Sequence, residues 1–102
     1  MFNDNNVNDE LFNYYSNLGK IINRKCKMSL KLDVINNTLL YINKNIRNFN
    51  KDELTVSKNI LNTAKYVIYK AKNQQNTKDS DILIYCDNLQ KEINDKLKEP
   101  NL

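Results

Sequence analysis

Histidine is absent from this chain of 102 residues, glycine and proline occur once each, and cysteine occurs twice. Without histidine the chain lacks the commonest general base and the commonest nitrogen ligand for metals. Ser–His and Cys–His nucleophile pairs are excluded with it. The single glycine, Gly19, rules out a Gly-rich loop of the kind that lets backbone approach phosphate. Cys26 and Cys86 stand 60 residues apart with no Cys or His beside them, a spacing that matches no metal site. Long apolar runs are missing too. The longest are Leu39 to Ile42, Tyr66 to Tyr69 and Ile82 to Cys86, far short of the roughly 18 apolar residues a membrane span needs. Met1 to Asp9 carries acids and amides where a signal peptide would need a basic start and an apolar stretch, so the chain is expected in the cytoplasm.

Paired carboxylates are what remains of acid–base chemistry. Asp9/Glu10, Asp52/Glu53 and Asp79/Asp81 all fall at expected helix starts, where capping and the macrodipole favour negative charge without catalysis. Glu92/Asp95 lies on a solvated helix face beside Lys91, Lys96 and Lys98. No acid–base pair gathered in a cleft is in view. The chain therefore reads as a non-enzyme, with no catalytic residue, metal site, cofactor or small-molecule substrate.

What is present is helical periodicity. Leu11/Tyr15/Leu18/Ile22, Leu32/Ile35/Leu39/Ile42/Ile46, Ile60/Ala64/Val67/Ala71 and Ile82/Cys86/Leu89/Ile93/Leu97 all step by three or four residues. The expected helices cover about 9–25, 29–47, 52–73 and 79–98. Asn8 or Asp9, Ser29, Asp52, and Asp79 or Ser80 stand as caps. Gly19 weakens the first helix, by bending it or ending it early, and Pro100 stops the fourth. Short connections favour neighbouring helices packed antiparallel. The fold expected is all-α, one domain, an antiparallel up-down-up-down four-helix bundle.

Asparagine fills 20 of the 102 positions. An amide-rich segment can be prion-like, but here the residues are scattered between ladder positions, as a coding bias would leave them. Cys86 falls on a ladder position and reads as a small apolar side chain. Cys26 lies in the basic run Arg24-Lys25-Cys26-Lys27, where it is either a plain surface cysteine or a reactive thiol.

Charge is unevenly distributed. Lys20, Arg24, Lys25, Lys27 and Lys31 give +5 between positions 20 and 31, and five lysines give +5 between 54 and 78. Positions 1–19 and 79–99 carry −3 each. In an up-down-up-down bundle the ends of the first and third helices share a pole, so one end of the molecule should be basic. Such charge either complements helix C-termini or forms a contact surface for an acidic partner, anionic lipid or nucleic acid. Nucleic acid is the weakest of these. The chain has only two arginines, the main readers of bases and phosphate, and Tyr15, Tyr41, Tyr66 and Tyr69 fall on or beside core ladders rather than forming a stacking platform.

The stretch Asp52 to Ile93 resembles the immunity proteins of pediocin-like bacteriocins, of the enterocin A immunity type. Leu54 to Lys72, with Tyr66-Val67-Ile68-Tyr69-Lys70-Ala71, is similar to that family's third helix. Asn73 to Ser80 is similar to its polar loop, and Ile82 to Ile93, with Asp87-Asn88-Leu89-Gln90-Lys91-Glu92-Ile93, to its last helix. Glu10-Leu11-Phe12-Asn13 looks like its opening. The resemblance implies protection of the producing cell, without a cofactor, by a protein working at the inner face of the membrane. Its implied partner is the membrane sugar-transport receptor, of the mannose phosphotransferase type, with bacteriocin bound. Carried onto this chain, the family's C-terminal recognition surface corresponds to Lys70, Lys72, Asn73, Gln74, Gln75, Lys78, Asp79 and Asp81. A different small helical inhibitor, such as an antitoxin or mobile-element protein, is the other reading of the same fold.

Overall fold

The computed structural model describes residues 7–70 and 77–98, the side chains of 77–80 excepted. Among these residues every regular element is helical: α1 (Asp9–Ile22), α2 (Met28–Asn45) continued by a 3-10 turn (Ile46–Asn48), α3 (Lys51–Lys70) and α4 (Thr77–Leu97).

The ladders account for the core. Leu32, Ile35, Leu39, Ile42 and Ile46 are all buried, as are Leu11 and Leu18, Ile60, Ala64 and Val67, and Cys86, Leu89 and Ile93. Leu54, Leu61 and Ile68 widen the buried face of α3. Burying a side chain of this kind stabilises by roughly 1.5–3 kcal/mol relative to leaving it in water.

Helix α1 stops at Ile22, short of Lys25, because its last turn tightens. Arg24 N–H bonds the Ile21 carbonyl at 3.2 Å, and the Asn23 side-chain amide takes the Gly19 carbonyl at 3.1 Å. Helix α2 starts at Met28, with Ser29 inside its first turn and Lys27 in the cap position without a side-chain cap bond. The Lys27 carbonyl opens the ladder by accepting from the N–H groups of Leu30 and Lys31. Asp52 does not cap α3. The cap is Asn50, whose side-chain oxygen accepts from Glu53 N–H at 2.8 Å while Glu53 Oε1 accepts from Asn50 N–H at 2.9 Å. This reciprocal capping box satisfies two backbone donors at once. The expected continuation of α3 to Asn73 lies outside the described residues. Helix α4 begins at Thr77, ahead of Asp79.

Helices α2 and α3 each pack against both α1 and α4. Tyr41, near the end of α2, donates to the Asn8 side chain at the start of α1, so α1 and α2 run in opposite senses. Lys65 pairs with Asp87 while Asn62 accepts from Gln90, which sets α3 against α4 in the same way. Asn8 and Glu53 join the starts of α1 and α3 across 45 residues of sequence. Leu18 and Gly19 share a surface hollow with Thr63, so these two helices rise together. Those pairings fit the up-down-up-down order.

The contact between α1 and α3 is polar and sheltered. Glu53 is only 7% exposed, and its Oε2 accepts from both the backbone N–H and the side-chain amide of Asn8, at 2.9 and 2.6 Å. Asn8 in turn caps α1 by accepting from Leu11 N–H at 2.7 Å. The Tyr41 ring stacks on Tyr14 at 4.7 Å and tilts against buried Phe49 at 6.2 Å, closing this pole.

Helix α1 continues unbroken through Gly19, and a methyl group built there meets nothing within 4 Å. The glycine therefore costs helix stability without relieving any crowding. Gly19→Ala is expected to raise stability by about 1 kcal/mol, or Tm by roughly 4–8 °C, in a melt followed by circular dichroism.

Burial, only partly offset by the Lys65 charge, pushes the Cys86 thiol from 9.0 up to about 11. The unfolded chain releases this proton near its ordinary value while the folded chain keeps it. The contribution of Cys86 to stability is thus intact below pH 9, is lost as pH rises toward about 11, and changes no further beyond. Burial also raises the Tyr41 and Tyr85 hydroxyls, which act in the same direction at higher pH. A Tm series is expected to drop across that window, less so in Cys86→Ala measured against its own Tm at pH 8. A flat series would contradict a sealed thiol.

Candidate functional site: the basic pole

The end of α1 and the link to α2 carry exposed Lys20, Arg24, Lys25 and Lys27. The parallel register of α1 and α3 brings this segment level with the last turn of α3, where Lys70 is exposed. Asp33 and Asp81 are exposed acids at the same pole. Not every lysine of α3 contributes free charge. Lys65 is bound to Asp87 and donates to Gln90 Oε1 at 2.7 Å, so it ties α3 to α4.

A hollow of about 530 Å³ opens between α1 and α2 at this end. Tyr14, Ile21 and Val34 give it an apolar floor, while Lys20, Arg24, Asn17 and Asn37 supply cationic and amide groups. Such a surface suits an anionic, partly apolar contact. Among the described residues no group of three or more Cys, Asp or Glu is placed to hold a metal ion.

The tyrosines of α3 depart from expectation. Tyr66 and Tyr69 are 58% and 56% exposed, off the core ladder rather than beside it. Their neighbours explain it: Val67 and Ile68 fill the interior, and a turn of about 100° per residue carries positions 66 and 69 to the outward face. The ladder Ile60/Ala64/Val67, taken with Leu61 and Ile68, already contained that information. The Lys70 ammonium lies over the Tyr66 ring, 5.1 Å from its centroid, a cation–π contact between residues one helical turn apart.

Of the eight candidate recognition residues, Lys70 and Asp81 are both exposed at this pole. Lys72, Asn73, Gln74 and Gln75 lie outside the described residues. Lys78 and Asp79 fall in the first turn of α4, with side chains outside the description. Lys20, Arg24, Tyr66 and Tyr69 join the surface from beyond that set. Cys26 is half-buried, its thiol directed at the Ile21 carbonyl at 3.9 Å. No helix among the described residues is long and apolar enough to cross a membrane.

The class these features define is a small helical bundle with a basic and aromatic pole. No protein-family model, curated protein or solved structure matches the chain.

Proposed function

We propose that this chain is a bacteriocin immunity protein that protects its cell by engaging, from the cytoplasmic side, a membrane sugar-transport receptor carrying the bacteriocin. The reading rests on the resemblance of Asp52 to Ile93 to the pediocin-like immunity family. The structural observation that supports it is the exposed Tyr66 and Tyr69 beside Lys70. A bundle whose only task was to fold would gain by burying such rings, whereas exposed aromatics rimmed by charge are typical of contact surfaces. Lys70 and Asp81 sit within that surface, which works by binding and needs no cofactor.

The test is expression in a strain sensitive to a pediocin-like bacteriocin, followed by challenge with that peptide. Survival of the expressing cells is the expected result, and unchanged killing would sink the proposal. Stable co-purification with a soluble toxin or host protein, in cells that remain sensitive, would favour the inhibitor reading instead.

A further inference from the structure

We infer that the basic pole docks directly on an anionic bilayer surface, with Tyr66, Tyr69 and Leu30 seated among the headgroups and the cations around them. The inference deepens the proposed function by giving the protein its own hold on the membrane, and rests on that reading only for its biological setting. Six large apolar side chains are exposed in the described structure: Phe12, Leu30, Leu40, Tyr66, Tyr69 and Ile84. Four of them belong to the basic pole. Leu30 is in the first turn of α2, Tyr66 and Tyr69 are in the last turns of α3, and Ile84 lies in the first half of α4.

Exposed apolar side chains and positive charge therefore lie toward the same end of the bundle, although all four helices contribute to them. A surface for a purely polar acidic partner would not need the rings. A surface for an apolar partner would not need Lys20, Arg24, Lys25, Lys27 and Lys70. The bilayer interface asks for both, because tyrosine has an apolar body and a polar tip suited to headgroup depth, and anionic lipid attracts cations that rim such a patch. The Lys70–Tyr66 pair combines the two roles in one helical turn. With no transmembrane helix among the described residues, this mode is a reversible lying-on rather than a spanning one.

The chain has no tryptophan, so Tyr66→Trp introduces a single reporter at the contact. Vesicles of phosphatidylcholine containing one-third phosphatidylglycerol should draw the protein into the pellet and shift the reporter's emission to the blue. Pure phosphatidylcholine should do neither. Lys70→Ala should weaken partition roughly five-fold, and Lys25→Ala with Lys27→Ala roughly twenty-five-fold, at about a factor of five per cation near the surface. Tyr66→Ser with Tyr69→Ser should weaken it too while the circular dichroism melt stays in place, since both side chains are exposed. Absence of partition, equal partition onto neutral vesicles, or salt-sensitive capture of single-stranded nucleic acid with no vesicle binding would each overturn the inference. Protection without vesicle binding would overturn this inference alone. Vesicle binding without protection would overturn the immunity function alone.

Discussion

Glu53→Ala is expected to lower the unfolding free energy by about 3 kcal/mol, comparable to the 2–5 kcal/mol of a core Leu→Ala change such as Leu39→Ala. The carboxylate accepts from the Asn8 backbone, the Asn8 side chain and the Asn50 backbone. Its removal leaves three donors in a pocket where the residue was 7% exposed, and a sheltered unsatisfied polar group costs about 1–3 kcal/mol. The effect is also architectural. One side chain closes the capping box of α3 and holds the residue that caps α1, so two helix starts loosen together. Glu53→Gln keeps an acceptor but turns an amide N–H group toward donors, and should fall between wild type and Ala. Urea unfolding measures this directly, as a lower midpoint at unchanged m. A loss below about 1 kcal/mol in Glu53→Ala would mean that water replaces the carboxylate freely. For a domain of ordinary stability, 5–15 kcal/mol in all, the expected loss is a substantial fraction.

Much of this architecture was legible from spacing. The rungs of α2 alternate by three and four without a break, and all five are buried. Helix ends were less legible because several residues near each end can cap. Asp52 has the right chemistry for α3, but the chain turns two positions earlier, where Asn50 and Glu53 stand three residues apart and satisfy each other. The link between α1 and α3 was not legible, since it joins Asn8 to Glu53 over 45 residues and no local pattern encodes such a bond. At the basic pole, charge could be counted along the chain, but its pairing could not: Lys65 counts toward the positive total of α3 and is committed to Asp87. Tyr66 and Tyr69 were legible in principle from the arc that Leu61, Ala64 and Ile68 bury.

The second large effect concerns function. Reversing Lys20, Arg24 and Lys70 to Glu places acids where the surface is proposed to meet anionic groups, and like charges opposed at a contact cost several kcal/mol. Partner affinity should fall by about two orders of magnitude or more, and protection with it. Folding should survive, because all three side chains are exposed and exposed substitutions usually move stability by about 0.5 kcal/mol or less. Lys65 is left out of the set because its loss would loosen α3 from α4 and confuse the outcome.

The most direct measurement sets that variant against a control of equal charge change at the opposite pole, Lys44, Arg47 and Lys51 to Glu, three residues that are also exposed. Both are expressed in sensitive cells, matched for protein level and melting temperature, and survival under bacteriocin is counted. Cells carrying the Lys20/Arg24/Lys70 variant should die like unprotected cells while those carrying the control survive like wild type. Equal survival of the two, both protected or both killed, would contradict the claim that the basic pole is the working surface.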